Sequence, residues 1–210
     1  MRPLVVTGTD TGVGKTVFAA GLTAALLATY WKPVQAGLDE ATDSETVAAL
    51  SGRPVLPEAY RLRRPASPHL AAEEMGVRID LDRLALPQVD GPLVVEGAGG
   101  VMVPLTRKAV YLDLFARWQT PVILVARTRL GTINHTALSL MALRNAGCPV
   151  AGVAFNGPPE PEVEETIAEM FSVPHLGRLD PLAELTPATL ARAFDAIDTG
   201  TIQTAIRGAL

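Results

Sequence analysis

The chain has 210 residues, 48% of them hydrophobic and 19% charged, with a formal net charge of −4. This composition excludes a disordered chain, and a chain of such length buries about 70% of its unfolded surface without staples, so one domain spanning 1–210 is expected. The acidic balance without a basic cluster speaks against a nucleic-acid surface, and no leader or apolar run of about 18 residues suggests a membrane, so a cytoplasmic protein is expected.

A short apolar run at 4–6 stops at a loop carrying Gly8, Gly12 and Gly14, which delivers Lys15 and Thr16 into an Ala/Leu-rich helical pattern over 15–28. Strand, glycine loop and helix in that order make a phosphate cradle, because backbone N–H groups turn toward an anion and the helix N-terminus adds partial positive charge. A lysine there reaches the outer phosphates, and a threonine hydroxyl is placed to coordinate Mg²⁺. In the common G-x-x-x-x-G-K-[ST] spacing the first glycine would stand at position 9, which is Thr9; Gly8 comes one place earlier. Residues 10–16 instead resemble the variant loop of the partitioning, nitrogenase-iron-protein and amidoligase ATPases. Many of those open the loop with a second lysine, where this chain has Asp10.

A second strand is expected at 30–34, ending in Lys-Pro-Val-Gln-Ala-Gly (32–37). Proline disfavours the helical region for its predecessor, so Lys32 is held extended near the strand's carboxyl end, as a directed cation or as a plain surface lysine. A helix runs from Asp43 to about Ser51 and is closed by Gly52; Asp43 can serve as its N-cap or as a carboxylate facing Mg²⁺. Residues 53–70 read as proline-rich and irregular, Ser67-Pro68-His69 starts a helix through Glu74 closed by Gly76, and a short helical stretch at 81–86 leads to a turn at Asp90-Gly91-Pro92.

The third apolar strand, 93–95, ends in Glu96-Gly97-Ala98-Gly99-Gly100. A buried carboxylate there would cost several kcal/mol without a partner, so a metal or lysine neighbour is expected, the alternative being an exposed Glu at a turn. Residues 121–126 form an entirely apolar strand, buried on both faces. It leads to Arg129-Leu130-Gly131-Thr132-Ile133-Asn134-His135 and a helix ending near Gly147, where Cys148 reads as a small buried thiol and His135 as a helix-start residue. The strand 149–155 ends in Asn156-Gly157, placed for a purine edge or a simple turn. An acidic helix at 161–171, a short strand at 174–176, the loop 177–181 and helices at 187–196 and 199–208 complete the chain.

Strands alternating with helices, with polar groups collected at strand ends, indicate an α/β fold: a doubly wound, mainly parallel sheet flanked by helices. Ligands in such sheets sit outside the carboxyl ends of the strands, where this reading places Thr11, Lys15, Thr16, Lys32, Glu96, Gly99 and Asn156.

Taken together, segments 8–16, 32–37, 67–69, 95–100 and 130–135 closely resemble the dethiobiotin synthase family. The resemblance spans most of the chain and weakens after about residue 160. It implies that one amine of 7,8-diaminopelargonate takes up CO₂, the carbamate attacks the γ-phosphate of ATP, and the second amine closes the ureido ring and expels phosphate. Lys15, Lys32 and Thr11 would then be the catalytic set, and Thr16, Asp43 and Glu96 would gather Mg²⁺. ATP would lie against Gly12, Val13, Gly14, Lys15, Thr16, Val17, Gly97, Ala98 and Gly99, with adenine near Asn156, Gly157, Leu179 and Asp180. The diamine would meet Thr11, Lys32, Ala36 and Gly99, together with Gly131, Thr132, Ile133 and Asn134 of the partner in a homodimer.

Gly12 stands where the family often has Glu, and Ala36 where a serine is frequent; neither change removes a group the chemistry requires. Whether Asp43 or the nearby Glu45 faces the metal stays open. Two other readings share the phosphate loop. An amidoligase would carry a glutaminase domain with a nucleophilic cysteine, for which there is no room. A partitioning-type nucleotide switch would use the opening lysine and a basic surface or tail, whereas the last ten residues hold only Arg207 as a cation.

Overall fold

The computed structural model describes residues 2–208. The chain opens with β1 (Leu4–Gly8) and α1 (Lys15–Ala25), followed by β2 (Thr29–Trp31), β3 (Val34–Ala36) and α2 (Asp43–Ser51). Two short strands, β4 (Val55–Leu56) and β5 (Tyr60–Leu62), precede α3 (Pro68–Glu74) and a 3-10 turn at Leu81–Leu84. Then come β6 (Leu93–Gly100), β7 (Pro104–Thr106), β8 (Ala109–Val110) and α4 (Tyr111–Trp118). The remainder alternates: β9 (Val122–Arg127), α5 (Thr132–Asn145), β10 (Val150–Asn156), α6 (Pro161–Phe171) and β11 (His175–Leu179), with α7 (Pro187–Phe194) and α8 (Thr199–Arg207) at the end.

Seven strands form one parallel sheet in the order β11-β10-β9-β1-β6-β2-β4. Alternate residues face opposite sides, so each strand feeds two cores. Val5, Val95, Leu124 and Phe155 pack with residues of α3 to α6, including Ala71, Phe115, Leu140 and Ile167. Val6, Val94, Ile123 and Ala154 face Phe18 and Leu22 of α1, Val47 of α2, Phe194 of α7 and Ile202 of α8. The doubly wound fold expected from the sequence is therefore the one observed. β1 lies between the earlier strands on one side and the later ones on the other, and the crevice at such a reversal opens above the strands' carboxyl ends.

Several local expectations are corrected. The single strand at 30–34 is two strands: Pro33 has no N–H for a ladder, and β3 leaves the main sheet to pair with β5 in a separate parallel pair. The irregular segment 53–70 thus contains β4 and β5. α1 stops at Ala25, and Leu27 (φ 52) turns the chain directly into β2. The helical stretch 81–86 is only a 3-10 turn. Residues 97–100 belong to β6 rather than to a loop, and β11 extends to Leu179. Residues 101–120, too short in pattern for either period, form the β7–β8 hairpin and α4. Among the described residues no helix is long and apolar enough to cross a membrane.

Candidate active site

The loop after β1 turns through Gly12 (φ 71) and Gly14 (φ 87), the latter acting as N-cap of α1. Intrahelical bonding begins with Phe18 N–H donating to the Gly14 carbonyl at 3.0 Å, so the amides of 15–17 lie outside the helix's own ladder and can face an anion. Gly14 is required on two counts: its backbone is left-handed, and a Cβ would come within 2.2 Å of Asn156 Nδ2. Lys15 folds back over the loop, its buried Nζ donating to the Asp10 carbonyl at 2.9 Å. Burial, aided by the charge of Lys32 nearby, pushes its pKa down to about 8.

Lys32 follows β2 and is buried. Its Nζ lies 2.7 Å from Asp43 Oδ2, 2.9 Å from Glu96 Oε1 and 3.0 Å from the Gly97 carbonyl, one acceptor for each ammonium proton. Burial opposes its charge, but Glu96 and then Asp43 outweigh burial and raise its pKa. A plain surface lysine is excluded.

Thr16 Oγ1 sits 2.9 Å from Asp43 Oδ1 and 3.0 Å from Glu96 Oε1. The hydroxyl has one proton, so it donates to one carboxylate at a time. Glu96 is fully buried at the point where β6 passes the phosphate loop, not exposed at a turn. Its other oxygen accepts from the Tyr30 hydroxyl at 2.8 Å. The N-cap of α2 is Thr42, not Asp43: Thr42 and Glu45 form a reciprocal capping box. That engages Glu45 at the surface and leaves Asp43, the first residue of the helix, as the carboxylate facing Thr16 and Lys32. Burial would raise the Asp43 pKa, but Lys32 outweighs it and holds the group below the usual carboxylate range.

These groups line a cavity of about 630 Å³ that also includes Thr11, Gly12, Gln35, Ala36, Ala98 and Gly99. A smaller hollow of about 230 Å³ adjoins it through Gly14 and Val17 and is walled by Asn156, Gly157, Leu179 and Asp180. Asn156 Nδ2 donates to the Val13 carbonyl at 2.8 Å, while its Oδ1 is buried with no protein partner, an open acceptor at the hollow's edge. A larger cleft of about 930 Å³ between α3 and the β7–β8 hairpin holds none of the expected site groups. Its rim is cross-tied by exposed ion pairs such as Arg107–Glu73, so chemistry rather than size picks out the site.

Among the described residues, no three His, Cys, Asp or Glu side chains gather as a metal cage. The all-oxygen set of Thr16, Asp43 and Glu96 fits a hard cation that takes few protein ligands and keeps water and phosphate oxygens, which is the habit of Mg²⁺.

The structure thus brings together the expected groups of β1, β2, α2, β6 and β10. It does not bring Gly131, Thr132, Ile133 and Asn134 to either cavity of their own chain: they start α5, with Thr132 buried and the other three exposed. Sequence reasoning missed Tyr30 and Gln35, the latter accepting from Asp43 N–H at 3.3 Å. Tyr30 could have been found from its spacing, since it is two residues before Lys32 and shares its side of the strand. It also missed Arg127, whose Nη2 lies 2.8 Å from Asp10 Oδ2, and the struts behind the smaller hollow. There Arg178 reaches the Gly157 carbonyl at 3.3 Å and pairs with Asp180 and the buried Glu164, so α6 is not simply a solvated face.

Solved structures share this architecture. The cell division ATPase MinD of Pyrococcus furiosus aligns over 97% of this chain and 99% of its own with a TM-score of 0.60 at 16% identity. A ParA family ATPase from Chlorobium tepidum aligns over 97% of each chain with a TM-score of 0.56 at 10% identity. At such identities the likeness shows the fold alone, and with the loop it defines a P-loop nucleotide-binding protein. A family model described as an AAA domain matches residues 2–189. Sequence relatives are much nearer: 61% identity over 92% of both chains to the ATP-dependent dethiobiotin synthetase BioD of Rhodopseudomonas palustris (strain HaA2), and 59% over the same shares to that of Brucella anthropi. A similar 60% identity, over 90% of this chain and 91% of the relative, is found with the protein of that name in Agrobacterium fabrum. The chain belongs to the ATP-dependent dethiobiotin synthetase family.

Proposed function

We propose that this chain, acting as one P-loop domain in the cytoplasm, converts 7,8-diaminopelargonate, CO₂ and ATP to dethiobiotin, ADP and phosphate. Beyond family membership, the observation that carries the reading is Lys32: a buried ammonium, saturated by Asp43, Glu96 and the Gly97 carbonyl, placed on the same cavity as the phosphate loop. A cation built at such cost in burial suits a reaction that gathers negative charge at one point.

The residues divide the work. The amides of the phosphate loop and the start of α1 wrap the phosphates. Lys15 exchanges the Asp10 carbonyl for a phosphate oxygen and neutralises charge on the β- and γ-groups. The adenine lies in the smaller hollow, its amino group toward Asn156 Oδ1. Thr16, Asp43 and Glu96 would hold Mg²⁺, which supplies neutralising charge to the phosphate oxygens when bound. Thr11 and Gly99 position the substrate, with Ala36 lining the same cavity.

One amine of the substrate adds to CO₂ and loses a proton, giving a carbamate held beside Lys32. A carbamate oxygen attacks the γ-phosphorus and ADP leaves. The second amine then attacks the carbonyl carbon of the mixed anhydride, the C–O bond to phosphate breaks, and the ring closes with loss of a proton. Lys32 neutralises the carbamate and the departing phosphate, while the cavity holds the reacting atoms in line.

The substrate chain extends toward residues 131–134 of a second copy in a homodimer. Supporting this, those residues line neither of the two site cavities of their own chain, and α5 exposes the apolar Ile133, Leu138 and Met141, beside the fully exposed Leu130. The nucleotide-switch alternative loses ground because Asp10, where the opening lysine would stand, is clasped by Arg127 within the chain.

The test is phosphate release by the purified protein with MgATP and bicarbonate, with and without the diamine. Release that rises with the diamine and matches ring-closed product by mass is expected. Release indifferent to the diamine would return the substrate assignment to other ATPases of this fold.

A further inference from the structure

Tyr30 is fully buried in β2, in register with Val94 of β6, so its ring lies on the same side of the sheet as Glu96 two residues further on. Its hydroxyl donates to Glu96 Oε2 at 2.8 Å. The other carboxylate oxygen, Oε1, meets both Lys32 Nζ at 2.9 Å and Thr16 Oγ1 at 3.0 Å. The phenol has one proton and a carboxylate can only accept, so the hydroxyl is the donor in this contact.

We propose that Tyr30 is a positioning residue that holds the Glu96 carboxylate in one orientation, with Oε1 reserved for Lys32 and for the cation site completed by Thr16 and Asp43. The inference rests on the reading of Thr16, Asp43 and Glu96 as the Mg²⁺ site. A carboxylate buried beside an ammonium gains most by turning both oxygens toward it. The Tyr30 hydroxyl takes one oxygen out of that competition. Glu96 therefore meets Lys32 through a single oxygen, Oε1, the same oxygen that faces Thr16 and the cation site. Without the hydroxyl, Oε2 would be buried and unpaired, and the carboxylate would lose the contact that fixes its orientation.

Partners that orient a metal ligand in this way typically change metal affinity or activity about 10- to 100-fold when removed. The experiment is calorimetric titration of a non-hydrolysable ATP analogue at a series of Mg²⁺ concentrations, comparing wild type, Tyr30→Phe and Tyr30→Leu, with thermal unfolding measured alongside. Tyr30→Phe keeps the ring and loses one oxygen. It should need about 10- to 100-fold more Mg²⁺ for half-maximal enhancement of binding, with metal-free nucleotide affinity and unfolding temperature close to wild type. Tyr30→Leu should show the same Mg²⁺ shift together with a lower unfolding temperature. A Mg²⁺ dependence unchanged in Tyr30→Phe, or shifted only in Tyr30→Leu, would overturn the proposal and leave Tyr30 as packing. Nucleotide binding that ignores Mg²⁺ already in the wild type would instead remove the cation-site reading on which the inference stands.

Discussion

Lys32 gives its three protons to two carboxylates and a carbonyl, and the Thr16 hydroxyl lies within reach of both carboxylates and donates to one at a time. The arrangement is a closed charge cluster that a phosphate or carbamate must open. Lys32→Gln should therefore lower kcat by at least about 100-fold while changing the KM for ATP much less, because the lost interaction belongs to the transferred group. Steady-state kinetics checks this, and an unchanged kcat would show that Lys32 plays another part. Lys15 carries a second prediction. Its pKa of about 8 lies below the ordinary 10.5, so from about pH 8 upward the free protein increasingly holds it neutral. Phosphate restores its proton, so nucleotide binding at pH 9 should take up protons, whereas at pH 6.5 Lys15 should contribute none; calorimetry in buffers of different ionisation heat measures the difference. The same depression has a stability consequence. Between about 8 and 10.5 the unfolded chain binds more protons at this group, so its contribution to the ligand-free protein's stability rises with pH across that window. Lys15, Thr16 and Glu96 were legible in the sequence because glycine spacing and strand ends mark them. The choice of Asp43 over Glu45 was not, since three adjacent polar residues at a helix start can each cap it, and only the backbone entry angle decides.

The entry angle of α2 is set by Thr42, whose hydroxyl accepts from Glu45 N–H at 3.2 Å while Glu45 Oε2 accepts from Thr42 N–H at 2.8 Å. Thr42→Ala should cost about 1 kcal/mol of stability. Because Asp43 is the next residue, it should also weaken Mg²⁺-dependent nucleotide binding; chemical denaturation and a Mg²⁺ titration read the two effects separately. At the same scale, the long apolar strands β6, β9 and β10 could be found from sequence, as each carries several buried residues in a row. The pair β3–β5 could not, because three-residue strands show no period and Pro33 disguises the break from β2. The extension of β6 through Gly97–Gly100 was hidden for a different reason. Glycines ordinarily weaken strands, but here the backbone must pass close to the phosphate loop: a Cβ at Gly99 would stand 2.6 Å from Val103 Cγ2 and 3.2 Å from Thr11 Oγ1.

The fold places the site crevice at the β1 reversal and exposes Ile133, Leu138 and Met141 on α5, which packs on the side of the sheet away from α1. Fold class followed from the alternation of strands and helices, but the same architecture serves MinD and ParA proteins, so fold alone could not choose among functions. The sequence relatives did, at about 60% identity over nine-tenths of the chain. If residues 131–134 complete the substrate site of a second copy, a Leu138→Glu, Met141→Glu double variant should sediment as a monomer, bind MgATP normally and lose dethiobiotin synthesis; a dimer that persists, or a monomer that stays fully active, would contradict that part of the account. The most direct measurement of the central claim is the fate of ¹³C-labelled bicarbonate in the complete reaction with MgATP and 7,8-diaminopelargonate. One labelled carbon in the ureido ring of dethiobiotin for each phosphate released is the expected result. Phosphate released without labelled product would contradict the account.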